Sequence, residues 1–399
     1  MLERHGVDHA IYYGAKANKS CALVAAAVAA GAGVDVSSLA EFRDAVRAGA
    51  TPDRICATGP AKSTAFLRAL VEAGALIAVD SLEELDDIAA LAPAGAGERA
   101  IRILLRYRPT SAERSRFGME RGALAVALER VAACDSVFRL EGFHFHLGGY
   151  DPETRVVALR ELVPLIEIAR MRGLDPRTID IGGGLPVRYV EPELYEAHLT
   201  AQGPWHYRTG RVPRSFYPYG GRISAADWLE RFLSATPMVG TTVAAFLRSR
   251  GLTLALEPGR SLVDQSAISL FRITRVKALG GDERVIFVEG SSFSACETWF
   301  ASEFLVDPIL VPGAASGVDE AARPVRAFVA GHSCLDEDVL THRLIRFDRE
   351  PRAGDLMIWA NTAGYQMDLL ENEFHRHPAP ARLTATVGAD GAFHFASDI

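Results

Sequence analysis

Eight times in the first 256 residues a short unbroken apolar run is followed by a polar or glycine-bearing turn and, in most cases, by an alanine- and leucine-rich stretch with helical spacing. The runs are AIYY (10–13), GVDV (33–36), RICA (54–57), LIAV (76–79), IRILL (101–105), GFHFH (142–146), TIDI (178–181) and LTLAL (252–256). Unbroken rather than alternating apolar strands are expected where both faces of a parallel sheet are covered. Eight such units in about 260 residues match a (β/α)8 TIM barrel in number and size. An open doubly wound sheet is the rival, but eight units without a nucleotide fingerprint argue against it.

Past Arg260 the pattern changes. AISLFRITRVKAL, RVIFVEG, VRAFVAG and DLMIWAN are β-rich segments separated by turn residues instead of helices. The expected organisation is an α/β barrel over 1–262 and a mostly antiparallel β-domain over 263–399. One stretch fits neither pattern: GPWHYRTGRVPRSFYPYGGR (203–222), rich in aromatic residues, Arg, Pro and Gly. It marks an insertion in the barrel near 200–235, and connections of that length are often functional.

Composition removes several classes of function. The net charge is −7 and no basic run occurs, so a nucleic-acid partner is not expected. The five cysteines (Cys21, Cys56, Cys134, Cys296, Cys334) are odd in number and widely spaced, which indicates neither a disulfide framework nor a cysteine zinc site. The opening MLERHGVDHA lacks the charged-then-apolar order of a signal peptide, and the apolar run 23–32 is too short for a membrane span. A cytoplasmic protein without a membrane partner is expected. Only Lys16, Lys19, Lys62 and Lys277 are lysines, so few residues could serve chemistry that needs an amine.

In such a barrel the residues just after the strands converge on one face, where the active site sits. Strand 1 ends in GAKAN, placing Lys16 at the mouth, where a desolvated amine could attack an aldehyde to form a Schiff base. Strand 2 ends with Asp35, strand 4 with Asp80, strand 5 with Arg106, and strand 6 with His144, His146, Gly148 and Gly149. Strand 7 ends in IDIGGGLP and strand 8 in LEPGR, with Glu257 and Arg260. A triple glycine after a late barrel strand lets backbone N–H groups approach a phosphate. A carboxylate at Glu257 can keep a pyridine nitrogen protonated, and His146 could lie flat on an aromatic ring. Each residue alone is more often a satisfied core polar group; their joint occurrence on successive strand ends points to pyridoxal 5'-phosphate (PLP).

GAKAN, HFHLGG, DIGGG, EPGRS, SCLDED and NTAGY follow one another in the order found in fold-type III PLP-dependent decarboxylases, and the chain resembles that family, which includes the diaminopimelate, ornithine and arginine enzymes, over almost its whole length. The resemblance implies a PLP-binding barrel followed by a β-domain. It implies Lys16 bound to the cofactor aldehyde, His146 stacked on the ring and Glu257 paired with the ring nitrogen. Gly149, Gly182, Gly183, Gly184, Gly259, Arg260 and Tyr365 would surround the phosphate, with Asp35 and Arg106 supporting the site. Cys334 would be the thiol that protonates carbon after carbon dioxide leaves. In the family that thiol comes from the second subunit, so a homodimer with shared sites is implied.

Three departures from the family pattern stand out. Lys16 comes almost at once, whereas relatives usually carry some 30 or more residues before the barrel's first strand, including a strand of the β-domain, so either the native start lies upstream or the β-domain lacks that strand. Gly149 stands where many relatives have serine. Leu335 follows Cys334 where the diaminopimelate and ornithine enzymes carry an acid that reads the far amine; Glu289 or Asp336 could supply a carboxylate in its place. The ending NTAGYQMDLLENEFHRHP and the HYR…FYPY insertion resemble the siderophore and secondary-metabolite branch of the family, whose substrates are larger amino-acid-like molecules. Arg211 and Arg214 would suit a carboxylate on such a small-molecule substrate. An amino-acid racemase on the same fold is the first alternative. A metal-dependent barrel hydrolase is a distant one, because HFH supplies only two ligands.

Overall fold

The computed structural model describes residues 1–92, 100–214, 216, 217, 219–238, 240–295, 297–313, 323–367 and 374–398. Cys296 and most of the MDLLENEF stretch therefore lie outside the described residues. The eight apolar runs form β1 (His9–Gly14), β2 (Gly33–Val36), β3 (Ile55–Ala57), β4 (Leu76–Val79), β5 (Ile101–Arg106), β6 (Phe138–His144), β7 (Thr178–Asp180) and β8 (Thr253–Leu256). They pair in sequence order, all parallel, and β1 returns to β8 through His9–Leu254, Ala10–Ala255 and Ile11–Leu256, closing the barrel. Burial explains the unbroken apolar runs: every residue of β2, β3 and β4 is buried. Inside, Tyr12, Cys56, Leu76, Ala78, Leu104 and Ala255 pack together.

The polar turns after the strands have a local task. Ser20, Ser38, Ser63, Ser81 and Thr242 each sit at a helix N-cap and accept a hydrogen bond from an amide of the first turn. Ser38 and Ser81, which follow strand ends, thus start helices and are not presented as site groups. Glu41 completes the second helix start by accepting the Ser37 amide at 2.6 Å.

Two compact units emerge: residues 1–185 with 225–262, and residues 186–224 with 263–398. The segment 186–224, which the sequence reading set within the barrel domain, packs with the second unit because its aromatics bury there. Tyr219 is fully buried in the core of the sheet; it stacks near Tyr189 and Tyr217 and meets Phe304 edge-on. Arg208 extends the attachment by donating its amide to the His342 carbonyl at 2.8 Å.

The second unit is built on β9 (Ile268–Gly280), β10 (Glu283–Val288), β11 (Ile309–Val311), β12 (Val325–Ala330), β13 (Val339–Phe347) and β14 (Leu356–Ala360) in the order β11-β14-β9-β10-β12-β13. Only the β10–β12 pairing is parallel. Phe271, Ile273, Ile286, Val329, Ile345, Met357 and Trp359 fill its apolar face, alternating with outward residues as a half-covered sheet requires. A separate hairpin joins β15 (Leu383–Val387) to β16 (Phe393–Ser397). Among the described residues no helix is long and apolar enough to cross a membrane.

The close approach of β6 to β7 depends on one glycine. Where β6 meets β7, a side chain on Gly142 would put its Cβ 1.8 Å from the Thr178 carbonyl oxygen. Gly142→Ala should destabilise the protein by about 3 kcal/mol or more and lower Tm by about 6 °C or more. An unchanged thermal transition would show that β6 and β7 do not approach this closely.

Candidate active site

Lys16 lies on the short turn Ala15–Ala17 that follows β1, and the Gly14 amide before it donates to the Pro258 carbonyl after β8. The Lys16 Nζ donates to Asp35 Oδ2 at 2.6 Å, and Thr58 donates its hydroxyl to the other oxygen at 2.6 Å, so one chain of contacts links the ends of β1, β2 and β3. The sequence led us to expect a bare, desolvated amine. The side chain instead keeps 40% of its surface exposed and is held as an ion pair with a carboxylate that has none exposed. Lys62, by contrast, is buried, and its Nζ donates to Glu84 and to the Ala78 and Gly59 carbonyls. Burial lowers the pKa of Lys62, and its donors are all engaged.

Neighbouring strand ends are joined in the same manner. Arg106 on β5 pairs with Asp80 after β4 at 3.1 Å, both buried, and Asp80 also accepts the Gly118 amide. His144 at the end of β6 lies 3.2 Å from Glu257 after β8. The alignment makes no hydrogen bond, so Glu257 Oε1 is a buried acceptor without a donor. Burial, with Arg106 next in size, depresses the pKa of His144 and keeps its ring neutral. Beneath them Asp180 and Cys56 are pushed well above their ordinary ranges by burial first and by Glu257 second, so both stay protonated. Among the described residues, Cys56, Asp180 and Glu257 are the one group whose ligand atoms lie within 4.8 Å of each other. A protonated thiol and a protonated carboxyl make a poor metal cage.

The glycine run is shaped by its packing. Gly182 and Gly184 have left-handed backbones (φ +70° and +84°), and a Cβ on Gly182 would sit 2.5 Å from His146 Nδ1. The Gly182 amide donates to Asp180 and the Gly183 amide to His146 Nδ1 at 3.2 Å. Among the described residues no protein acceptor engages the amides of Gly184 or Gly149. These two, rather than Gly182 and Gly183, have N–H groups to present to a phosphate. Their loops are clamped by Arg155, whose fully buried guanidinium donates to the carbonyls of Leu147 (2.6 Å) and Gly149 (3.0 Å) and lies over the Trp228 ring. Burial brings the Arg155 pKa down to about 10, still a cation at neutral pH.

Arg155 and Thr58 were not singled out from the sequence. An arginine within the apolar stripe of the helix Pro152–Met171 is the signal that could have found the first. Arg260 and Gly259 follow β8 as expected, with Arg260 buried.

The remaining expected residues belong to the second unit. Cys334 is exposed, with its Sγ 2.8 Å from His375 Nε2. Its loop is anchored by the buried Asp338, which accepts from the amides of Ser292 and Ser333 and from the hydroxyls of Ser291 and Ser292. Tyr365 is half-buried with a left-handed backbone (φ 71°). Asp336 is paired with Arg208 at 3.0 Å and Glu289 with Arg272 at 3.8 Å, while Arg211 and Arg214 are exposed.

A closed parallel barrel with a lysine after its first strand, together with a mainly antiparallel sheet domain, is the architecture of the fold-type III PLP enzymes. Residues 2–202 match the family described as pyridoxal-dependent decarboxylase, pyridoxal binding domain. The uncharacterized protein y4yA of Sinorhizobium fredii is 58% identical over 391 residues, covering 98% of this chain and 84% of that protein. The diaminopimelate decarboxylase of Methanothermobacter thermautotrophicus is 26% identical over 403 residues, covering 95% and 80%. In fold, the chain is similar to the Helicobacter pylori diaminopimelate decarboxylase complexed with L-lysine, with a TM-score of 0.75, 20% identity and coverage of 99% and 89%. The chain belongs to the pyridoxal-dependent decarboxylase family, and its cofactor is PLP. The barrel's own atoms suit that group: an amine on a carboxylate, a buried acceptor at Glu257 without a donor, and two unengaged amides held by Arg155.

His146 supplies a test of the buried state. Burial lowers its pKa from 6.5 to about 4. As pH falls, the unfolded chain takes up this proton first, so the associated stability is present above pH 6.5 and is lost by about pH 4, at about 1.4 kcal/mol per unit. In urea melts of the apoprotein, His146→Phe should lose less stability over that window than the wild type. Equal losses would contradict a half-buried ring kept neutral by desolvation.

Proposed function

We propose that this protein is a PLP-dependent decarboxylase of an amino acid or amino-acid conjugate bearing a further carboxylate, made for a siderophore or another secondary metabolite. The observation that carries the proposal is the meeting of Lys16 with the strand-8 end. A methyl group on Gly14 would lie 3.7 Å from both the Lys16 amine and the Glu257 carbonyl oxygen. Bound PLP supplies an aldehyde that captures amines and a cationic ring that draws electrons from the substrate's α-carbon.

The chain's residues have complementary tasks. Asp35 orients the Lys16 amine and takes up its proton when the amine reacts. Glu257 Oε1, a buried acceptor without a donor, would accept the ring N–H. The Gly149 and Gly184 amides and the Arg260 guanidinium would hold the phosphate, and the resemblance assigns Gly259 and Tyr365 to the same task. His146 would lie flat on the ring and, being neutral, would not oppose its positive charge. Arg106, fixed by Asp80, would support the site around the cofactor. Cys334 gives a proton to the carbon that carbon dioxide has left.

Two features favour a substrate other than a plain diamino acid. Leu335 removes the acid expected after Cys334, and the carboxylates of Glu289 and Asp336 each face an arginine of their own. Arg211 and Arg214, exposed on the segment 203–222, bind the substrate's extra carboxylate.

A panel of amino acids and citrate-linked diamino acids, scored for carbon dioxide and for optical rotation, tests the reaction. Carbon dioxide release is expected; loss of rotation without it would make the protein a racemase. With the substrate found, Arg211→Ala and Arg214→Ala should each raise KM about tenfold with kcat nearly constant, and an unchanged KM would remove them from the site.

We also propose a homodimer in which Cys334 serves the partner's Lys16. Mixing the inactive Lys16→Ala and Cys334→Ala proteins should then restore about a quarter of wild-type activity, because half of a random mixture is heterodimer with one intact site of two. No recovery from a mixture shown to exchange subunits would place both residues in one chain's site.

A further inference from the structure

Cys334 stands in a patch of histidines that the reaction as described leaves unused. The imidazole of His375 lies against it, with Nε2 2.8 Å from Sγ and 3.5 Å from the Cys334 amide nitrogen, which donates to the same atom. The contact is built on both sides. Asp338 fixes the cysteine loop from below, and a Cβ on Gly331 would sit 2.3 Å from that carboxylate. His375 and Arg376 both hold left-handed backbones (φ 59° each), a conformation that L side chains adopt at a cost and that surrounding structure must enforce. Phe374, itself edge-on to Phe293, packs 4.1 Å from the His375 ring. His377, on the other side, stacks on His332 at 3.8 Å.

We propose that His375 is the proton partner of Cys334, a positioning and relay residue for the thiol; the inference rests on reading Cys334 as the proton donor. Removing carbon dioxide from a carboxylate and leaving hydrogen in its place consumes one proton per turnover. That proton passes from Sγ to the substrate carbon, and the sulfur keeps the electron pair of the S–H bond as a thiolate. His375 Nε2 then takes a proton from solvent and returns it to sulfur, closing the cycle without any oxidant or reductant. Between turnovers the couple holds one mobile proton over two atoms, so an Nε2–H can stabilise the thiolate directly. The other charged or titratable groups facing the patch are His332, His377, Arg376, Asp338 and Glu289. None of them has an atom placed as His375 Nε2 is relative to Sγ.

The test is alkylation of the holoenzyme with iodoacetamide at pH 6.5, with the Cys334 peptide followed by mass spectrometry. Iodoacetamide reacts with the thiolate, which an imidazole hydrogen-bonded to the sulfur stabilises. His375→Gln should therefore slow the labelling of Cys334 about fivefold or more, while His377→Gln should leave it within about twofold. Equal rates in wild type and His375→Gln overturn the inference. So does an equal slowing in His377→Gln, since the effect would then belong to the packing of the patch. The outcome is distinct from the fate of the donor assignment. Full carbon dioxide release by Cys334→Ala would remove the thiol from the reaction whatever the labelling shows, whereas an inactive Cys334→Ala with unchanged labelling in His375→Gln removes only the relay.

Discussion

Pairing of the first strand with the eighth decides everything at the mouth of this barrel. Three Cα pairs between β1 and β8, from His9–Leu254 to Ile11–Leu256, turn an open sheet into a closed one. In an open sheet Lys16 and Glu257 would stand on opposite edges. Closure sets their strand ends side by side, and the Gly14–Pro258 hydrogen bond extends the seam one step beyond the ladder. The glycines follow from the same constraint. Gly183 has no room for a side chain because the Glu257 carbonyl oxygen lies 2.4 Å from where its Cβ would be.

Closure also gathers charge in a place with little water, and each charge there is answered. Asp35 has Lys16 and Thr58, Asp80 has Arg106 and a backbone amide, and Glu84 has Lys62. A buried ion needs such partners, and removing one is costly because the other remains. Against that pattern the unanswered oxygen of Glu257 stands out. A buried acceptor left without a donor calls for an explanation, and the proposed contact with the cofactor's ring N–H would supply one. The two idle amides of Gly149 and Gly184, held by the Arg155 clamp, have the same character.

Much of this was legible in the sequence because parallel barrel strands write themselves plainly. Being covered on both faces, they read as short, mostly apolar runs, and all eight runs became strands. Lys16, Asp35, Arg106, His146 and Glu257 were singled out by position, and the structure sets each at or just after a strand end. The partners were harder. Thr58 looks like a turn residue, and Arg155 sits deep in a helix. Which glycine amide is free cannot be read from GGG, because it depends on Asp180 and His146. The segment 186–224 was misplaced for another reason: chain order puts it among barrel units, whereas Tyr219 and its aromatic neighbours bury on the antiparallel sheet.

Borohydride fixation of the cofactor, followed by peptide mapping, tests the central claim most directly. The chain has only four lysines, and of these Lys62 is held by Glu84 and two carbonyls. Reduction of the PLP-loaded protein should leave the pyridoxyl group on Lys16 alone. A group found on Lys62, Lys19 or Lys277, or no fixed group at all, would contradict the assignment of the barrel mouth as the cofactor site.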